Sequence, residues 1–374
     1  MSYSRVTHHA SMVFDTYRNE RYAAAIAKTV HADSVVLDLG AGLGLHGLLA
    51  AAAGAARVYL VEPQPVVHTA RDAARAGGLD GQVVVLQDRI EDATLPEPVD
   101  LIVSVFTGNL LFSEDLLPSL FHARDKYLKP GGKMLPDRAE LRLAPLCAPA
   151  LHAKHITRWA EPIMGLDYSK AKRFAANDVL WLRRPEFVGT QRLGAGGIVS
   201  DLDLTTATSA DCSGEVRCTV DTAGLCHGLL AWTRIRLVDE WISTDPDAPD
   251  VHWSPVILPI DPPLALQQGE EVTMTLKRPA YGDWTWSISA GAGSRRHSTF
   301  LASAEGAREL AKMAPTSSPG LSDDGRRAMR VLQLLAEGLS NRTIAETLVK
   351  TEAMNPALAL QEVQAIAKRY GGKT

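Results

Sequence analysis

The 374-residue sequence predicts a doubly wound α/β domain, followed by an antiparallel β domain and a small helical module. Two observations support this prediction. In the first third of the chain, short apolar runs alternate with helical segments, which is typical of a parallel sheet covered by helices on both faces. After about residue 140, apolar residues recur at every second position, as in antiparallel strands with one buried face.

The α/β domain is predicted from four apolar strands. After an amphipathic helical region over residues 1–30, we expect strands at 35–39, 58–61, 83–86 and 101–104. These runs are continuously apolar, as expected when helices cover both faces of a parallel sheet. A Gly-rich turn and a helix at 46–53 follow the first strand. A turn at 130–132 precedes the end of the domain near Pro136.

The β domain is predicted from period-two alternation at 231–237, 272–277 and 284–288, and a barrel and a sandwich both fit it. The intervening segment 159–183 has a helical pattern rich in Lys, Arg and aromatic residues. The expected domain boundaries are given in chain order: 1–30, N-terminal helices; 31–138, α/β domain; 139–300, β domain; 301–320, helix and linker; 321–374, C-terminal helical module.

Three helices are expected in the C-terminal module. Met329, Leu332, Leu335 and Leu339 form an apolar stripe, and Gly338 interrupts it. Ser340 can cap a second helix that carries Ile344 and Leu348. Leu360, Val363 and Ile366 mark a third helix.

Composition excludes several classes of function. A net charge of −4 and a pI near 6.3 give no bulk attraction to nucleic acid or to an anionic membrane. The N-terminus has no apolar signal core, and no 18-residue apolar run follows, so we expect a soluble, cytoplasmic protein without membrane contact. The four cysteines form no CxxC pair and lie near no histidine cluster. We therefore expect reduced thiols and no metal site, while a Cys212–Cys218 disulfide stays open.

A glycine-rich turn predicts a nucleotide cofactor. Asp38, Gly40, Gly42 and Gly44 stand between the first strand and its helix, where a Cβ would block close approach of a ligand. Glu62, at the end of the next strand, can accept both ribose hydroxyls. An acidic residue directly before the glycines favours the cationic S-adenosyl-L-methionine over NAD, since a pyrophosphate prefers an uncharged helix N-terminus.

A third acidic element, Asp88-Arg89-Ile90-Glu91, follows the third strand, and Glu91 could read an adenine amino group there. A solvated loop is the alternative for Asp88 and Glu91.

Several motifs, in the right order over residues 1 to about 300, make the sequence resemble the protein arginine methyltransferases. The matching segments are Met12-x-x-Asp15-x-x-Arg18 with His9, 38–44, Glu62, 89–92, the loop 104–117, 123–128, 135–138 and Val251-His252-Trp253. The resemblance implies a Rossmann-like domain followed by a β-barrel, the cofactor S-adenosyl-L-methionine with its product S-adenosyl-L-homocysteine, and a homodimer built through a helical arm at 159–183.

The resemblance also implies roles for individual residues. The cofactor would contact His9, Met12, Arg18, Asp38, Gly40, Gly42, Gly44, Glu62, Arg89, Ile90 and Glu91, with Arg18 reaching its carboxylate. Glu114 would face the methyl acceptor, and His252, paired with Asp15, would complete the catalytic group. The acceptor pocket would include Val105, Phe106, Asn109 and Trp253. A packed barrel edge is the alternative reading of His252 and Trp253.

The loop 104–117 departs from the family pattern. The family pairs two glutamates that clamp a guanidinium; here Glu114 retains the second and Val105 replaces the first. Phe106, Thr107 and Asn109 replace the family's Trp, Met and aromatic residue. Because one charge-assisted contact of about 1.5–3 kcal/mol is absent, three acceptors stay open. They are an arginine-like nitrogen with a second anion from Asp15, Asp115 or the substrate, a neutral nitrogen or oxygen, and a carboxylate, which Glu114 opposes. A fourth alternative is an inactive homologue that serves as a binding partner.

The segment 336–346 resembles the start of a helix-turn-helix, but no basic recognition helix follows, so DNA binding is the weaker reading. More loosely, the module resembles the small winged-helix domains that bind leader peptides in the biosynthesis of ribosomal peptide natural products. A helical cap on the barrel or on a dimer is the third reading.

Overall fold

The computed structural model describes residues 3–302, 323–352 and 354–370. The chain folds into two compact units. The first unit comprises Met1–Leu141, Asp201–Ala210 and Trp232–Pro255, and the second comprises Arg142–Ser200, Asp211–Ala231 and Val256–Thr374. These units differ from the predicted boundaries, because residues 232–255 of the expected β domain belong to the unit that holds the α/β sheet. Of the predicted helix and linker at 301–320, only 301 and 302 lie within the described residues.

The N-terminal region is helical but broken. A 3-10 helix spans Val6–His9, α1 spans Ala10–Val13 and α2 spans Thr16–Thr29. The break falls at Asp15, whose carboxylate accepts a hydrogen bond from the backbone amide of Arg18 at 3.0 Å and so caps α2. The buried face of α2 includes Arg18, Asn19 and Tyr22.

The α/β domain has the predicted parallel sheet. Its elements are β1 (Val35–Leu39), α3 (Leu45–Ala52), β2 (Arg57–Val61), α4 (His68–Ala76), β3 (Val83–Leu86), β4 (Val99–Ser104), α5 (Leu117–Tyr127) and β5 (Leu128–Leu135). The strand order is β3-β2-β1-β4-β5, and every neighbouring pair is parallel. The order reverses between β1 and β4, and in such sheets ligands bind at the carboxyl ends of the strands beside that point.

The predicted turn at 130–132 lies within β5. Val99 of β4 pairs with Leu128, but Leu101 pairs with Lys133, so the intervening residues of β5 bulge out of register. Gly131, with φ of +77°, supplies the left-handed residue of this bulge.

The rest of the chain up to residue 302 is mainly antiparallel. Its elements are β6 (Arg138–Cys147), α6 (Pro149–His155), α7 (Lys172–Ala175), β7 (Leu180–Trp181), β8 (Gln191–Arg192), β9 (Gly197–Asp203), β10 (Cys212–Thr219), β11 (Gly224–Leu237), β12 (Glu240–Ser243), β13 (Val256–Leu266), β14 (Glu271–Arg278), β15 (Thr285–Ala290) and β16 (Gly293–Ser298). One sheet has the order β10-β14-β15-β16 and the other β7-β13-β11-β6-β8, with β12 paired to β11 and β9 to β6. In the second unit the two sheets meet where the Trp286 indole donates to the Pro259 carbonyl at 2.7 Å.

The helical prediction for 159–183 is wrong for most of that segment. It contains 3-10 helices at Thr157–Ala160 and Ser169–Ala171, the four-residue α7 and the short β7. Between the two 3-10 helices, Ile163 and Leu166 pair as an isolated bridge around Met164 and Gly165, both with positive φ. That tight turn, just after Pro162, stops helix propagation.

The C-terminal module consists of α8 (Asp323–Ala336), α9 (Asn341–Glu352) and α10 (Pro356–Tyr370). Its core is formed by Val331, Leu334, Ile344, Ala345, Leu348, Ala359 and Val363. As predicted, the Ser340 hydroxyl caps α9 by accepting from the amide of Thr343 at 3.1 Å. Leu332 is buried, while the side chain of Met329 lies outside the described residues. No strand is assigned over 323–352 and 354–370, so the winged form has no support there.

Across the described ranges, no helix is both long enough and apolar enough to cross a lipid bilayer. All four cysteines are free, including Cys212 and Cys218. Among the same residues, no group of three histidine, cysteine or carboxylate side chains is arranged to hold a metal ion.

Candidate active site

The glycine turn after β1 forms the floor of the candidate site in the first unit. Gly40, Gly42 and Gly44 all have positive φ, a backbone conformation that side chains other than hydrogen disfavour. A Cβ on Gly40 would clash with the ring of Phe106, and one on Gly42 would stand 2.9 Å from Nδ1 of His9. The turn therefore needs glycine for both its conformation and its close contacts.

Two buried carboxylates flank this turn. Asp38 accepts a hydrogen bond from the amide of Gly47 at 2.7 Å, and Glu62 accepts from the amides of Gly42 (3.2 Å) and Gln64 (2.9 Å). Burial raises the pKa of Asp38 to about 7; the Gly47 amide opposes this shift, and the nearby Glu62 adds to it. A cationic ligand would relieve both the desolvation and the repulsion between the two carboxylates.

Arg18 is held on α2 with one guanidinium nitrogen unpaired. It is 3% exposed, and its Nη2 donates to the Met12 carbonyl at 2.7 Å and to Asn19 at 3.1 Å. Its Nη1 is buried without a hydrogen-bond partner. Burial lowers the pKa of Arg18, and attraction from Tyr22 and Asp15 opposes the shift. An unsatisfied guanidinium nitrogen in a buried position fits a carboxylate ligand.

The other predicted cofactor residues lie in two places, at His9 in the N-terminal region and at residues 89–91 after β3. His9 is buried, its ring lies against the glycine turn, and Nε2 contacts the Tyr3 carbonyl at 2.7 Å. Glu91 accepts from the Ser119 hydroxyl at 2.5 Å and pairs with Arg89 at 3.5 Å. Burial would raise the pKa of Glu91, but the Ser119 hydrogen bond and Arg89 lower it overall. Ile90 is buried and Arg89 is exposed, so these two neighbours point into different environments.

The loop after β4 carries the predicted acceptor residues. Glu114 is exposed, and its carboxylate accepts from the Asn109 amide at 3.1 Å and from the Tyr3 hydroxyl at 3.5 Å. Val105, the residue in place of the first family glutamate, is half-buried. Three non-glycine residues of this loop, Leu110, Leu111 and Asp115, have positive φ. Such strain persists only where surrounding contacts fix the backbone, and it concentrates at functional sites.

The 252–254 loop lies against both the loop after β4 and α2. Gly108 packs on the Trp253 indole, where an added Cβ would stand 2.8 Å from Nε1. The Arg18 guanidinium carbon lies 5.2 Å from the Trp253 ring centroid, within the range of a cation–π contact. The backbone amide of Ser254 donates to Asn109 at 3.4 Å. Residues from three distant parts of the sequence therefore meet in one place.

The predicted pairing of His252 with Asp15 is present, but not through the imidazole. The Asp15 carboxylate accepts from the backbone amide of His252 at 2.7 Å, while Nε2 of the ring is buried without a partner. Burial lowers the pKa of His252 to about 4; the charge of Arg18 adds to the shift, and Asp15 opposes it. At neutral pH the ring is uncharged and can accept a hydrogen bond but is a weak base.

Sequence reasoning missed two residues of this site, Tyr3 and Asn19. Tyr3 reaches Glu114, and Asn19 donates to the carbonyls of Met12 (3.0 Å) and Val13 (2.8 Å) while accepting from Arg18. The bridging contacts of Asn109 were also not foreseen. The available signal for Asn19 was its own polar side chain next to Arg18 on α2. Nothing in the residues around Tyr3 predicts contact with a loop more than 100 positions away.

Two family models match the chain. A methyltransferase domain matches residues 36–132, and an arginine methyltransferase oligomerization subdomain matches residues 137–283. The C-terminal module lies outside both ranges.

Curated relatives agree with these matches. The chain is 32% identical over 320 residues to protein arginine N-methyltransferase 6 of Xenopus laevis, covering 80% of this chain and 93% of that protein. It is 34% identical over 240 residues to protein arginine N-methyltransferase 2 of Dictyostelium discoideum, covering 62% of this chain and 47% of that protein.

Solved structures give the same fold. The Trypanosoma brucei PRMT1 enzyme–prozyme heterotetrameric complex with AdoHcy matches with a TM-score of 0.72 and 26% identity, covering 80% of this chain and 99% of that one. Arabidopsis thaliana protein arginine methyltransferase 10 matches with a TM-score of 0.67 at 23% identity, a likeness of fold alone, covering 79% of this chain and 99% of that one.

Proposed function

The chain belongs to the protein arginine methyltransferase family, and we propose that it transfers a methyl group to an arginine-like nitrogen of a peptide, protein or small molecule. It is a methyltransferase whose cofactor is S-adenosyl-L-methionine. The proposal beyond this concerns the acceptor and the residues that handle it. Its main support is the Glu114 carboxylate, held between Asn109 and Tyr3 beside the 252–254 loop.

The residues predicted to bind this cofactor fit it chemically. The unpartnered Nη1 of Arg18 would take its carboxylate, Asp38 would face its cationic groups, Glu62 would take the ribose hydroxyls, and Glu91 the adenine. The bound cofactor supplies a methyl group on a cationic sulfur, open to in-line displacement by an acceptor lone pair. In the same proposal the glycines let the ligand approach the backbone.

Glu114 suits a guanidinium acceptor because arginine offers only donors and a delocalised positive charge. A carboxylate that accepts two of these donors orients the group and draws its charge away from the reacting nitrogen. Asp15 does not supply the missing second carboxylate in our account, since its two oxygens accept from the amides of Arg18 and His252. We assign Asp15 to positioning, and a single carboxylate then serves the acceptor.

A neutral nitrogen or oxygen acceptor is our second candidate. It is favoured by His252, whose Nε2 is buried and unpartnered and whose pKa is lowered to about 4 by burial. A neutral imidazole can accept a hydrogen bond from an acceptor N–H or O–H. The apolar Val105 leaves such a pocket less negative than a two-glutamate clamp.

A peptide substrate bound by the C-terminal module is a further part of the proposal. The module has its own core, lies outside both family matches, and exposes Leu358 at 59%. An apolar side chain on α10 could contact a leader segment of a ribosomal peptide precursor. A Leu358→Glu variant should then show a raised KM for a long precursor and an unchanged KM for a short arginyl peptide. A KM for the long precursor equal to that of the wild type would exclude this role.

We propose a homodimer built through the arm at 159–183. Ile163, Met164, Leu166, Tyr168 and Trp181 are large apolar side chains that this segment leaves exposed, Met164 at 97%. Such a patch marks an interaction surface. The match to an oligomerization subdomain agrees with it.

We also propose a reducing, cytoplasmic compartment, which the four free thiols support.

Acceptor mapping tests the proposed function. The protein is incubated with S-adenosyl-L-methionine and a panel of arginyl, lysyl, histidyl and hydroxyl-bearing peptides, and the products are sequenced by mass spectrometry. Methylation of arginine nitrogen supports the first candidate, and methylation of another nitrogen or of oxygen supports the second. Cofactor binding without transfer to any acceptor would instead identify an inactive homologue and contradict both.

A further inference from the structure

Asn109 stands between the acceptor carboxylate and the 252–254 loop. Its Nδ2 donates to Glu114 at 3.1 Å, and its Oδ1 accepts from the backbone amide of Ser254 at 3.4 Å. One side-chain amide therefore connects the exposed end of the loop after β4 to the residue that follows His252 and Trp253.

The chemistry of its partners fixes the orientation of this amide. An ionised carboxylate only accepts and a backbone N–H only donates, so the Asn109 NH₂ must face Glu114 and its oxygen must face Ser254. An aspartate of the same size would place a second negative charge beside Glu114. An alanine would leave both partners without this contact.

The backbone around Asn109 is fixed independently of the bridge. Gly108, the preceding residue, packs against the Trp253 indole. Leu110 and Leu111, the two following residues, adopt left-handed φ of 49° and 59° and are buried. The backbone position of Asn109 is therefore set by packing, and its side-chain amide group is available to hold Glu114.

We propose that Asn109 is a positioning residue that sets the direction of the Glu114 carboxylate toward the acceptor. An exposed glutamate otherwise samples several rotamers, and aligning it at each turnover slows the reaction. This matters here because Val105 supplies no second carboxylate, so the alignment of one carboxylate decides how the acceptor is held. The inference rests on the proposed role of Glu114 at the acceptor.

The test uses the full-length chain with four variants: Asn109→Ala, Asn109→Asp, Glu114→Gln and the double variant Asn109→Ala/Glu114→Gln. Asn355→Asp is the matched control, since it makes the same change in charge at a helix-capping asparagine whose Oδ1 accepts from the amides of Ala357 and Leu358. kcat and KM are measured on a glycine-flanked arginyl peptide. Binding of S-adenosyl-L-homocysteine, and of the peptide to that complex, is measured by calorimetry.

We expect Asn109→Ala to lower kcat/KM about tenfold, mainly through kcat, with unchanged affinity for the nucleoside. Asn109→Asp should lose at least as much, and Asn355→Asp should stay within about twofold of the wild type. In the Glu114→Gln background, Asn109→Ala should cost less than in the wild type, because the charge that Asn109 directs is absent even though the amide oxygen can still accept from Asn109. Where Glu114→Gln is too slow for steady-state rates, the same cycle is read from single-turnover rates with the enzyme in excess over labelled S-adenosyl-L-methionine.

Two results would overturn this inference alone: an Asn109→Ala variant as active as the wild type, or the same loss in the Glu114→Gln background as in the wild type. The second would mean that Asn109 acts on the loop and not through Glu114. A wild-type enzyme that methylates other acceptors but no arginine, or a fully active Glu114→Gln variant, would instead refute the proposed function and this inference with it.

Discussion

The backbone amide of His252 donates to the Asp15 carboxylate at 2.7 Å, although 237 positions separate the two residues. The other oxygen of the same carboxylate accepts from the amide of Arg18 and caps α2. Asp15 therefore ties the helix that carries the unsatisfied guanidinium to the loop that carries His252 and Trp253. Displacing one side would displace the other.

Removing this carboxylate should destabilise the first unit. We expect Asp15→Ala to lower the free energy of unfolding by about 1–3 kcal/mol, since a helix cap and a second buried hydrogen bond are lost. Urea unfolding measures the change, with Asp80→Ala, in an exposed turn, as the control. Equal midpoints for the Asp15 and Asp80 variants would contradict the double role of Asp15.

Restoring a second carboxylate should move the enzyme toward ordinary arginyl peptides. We expect Val105→Glu to raise kcat/KM on such peptides about tenfold, within the range of one charge-assisted hydrogen bond. Val105→Gln is the control, because it has the same size without the charge. Equal effects of the two substitutions, or loss of activity on every acceptor, would count against Val105 as a determinant of specificity.

The ligand-free protein should lose stability as the pH rises from about 4 to about 7, because of Asp38. Burial raises its pKa in the folded protein to about 7, whereas an unfolded aspartate titrates near 3.9. The folded state thus binds more protons in this window, and the stabilisation relative to the unfolded chain is lost as the pH rises through 7. Asp38→Asn should flatten this part of the curve in urea unfolding at several pH values; an unchanged slope would refute the assignment.

The arm should hold the dimer through its apolar tip. Met164→Glu and Leu166→Glu place a charge where 97% and 59% of the side chain are exposed in the single chain. If a second copy covers this patch, each variant should shift the mass seen by light scattering from dimer to monomer. Val188→Glu, at 86% exposure outside the arm, should leave the mass unchanged. A wild-type mass of one chain would contradict the dimer.

The parallel sheet and the glycine turn after β1 were predictable because their signals are local. The apolar runs of β1 and β4, the glycines at 40, 42 and 44, and Glu62 at the end of β2 each identify themselves within a few residues. The strand order was not predicted from the sequence, because doubly wound sheets occur with more than one order.

The contacts of the 252–254 loop were less predictable because they join residues that are distant in the sequence. Nothing in the sequence indicates that Asn109 reaches Ser254, or that Asp15 would accept from the backbone of His252 and not from its ring. For the arm at 159–183, the local sequence pattern gave a wrong prediction of a helix. Its composition resembles a helix, but the turn at Met164 and Gly165 divides it into short pieces.

The most direct measurement is the initial rate of labelled methyl transfer from S-adenosyl-L-methionine to a glycine-flanked arginyl peptide, compared between the wild type and Glu114→Gln. We predict transfer by the wild type and a loss of about a hundredfold or more in the variant, with the affinity for S-adenosyl-L-homocysteine unchanged, because the proposed function assigns Glu114 to the acceptor and not to the nucleoside. Equal rates for the two proteins would contradict the account.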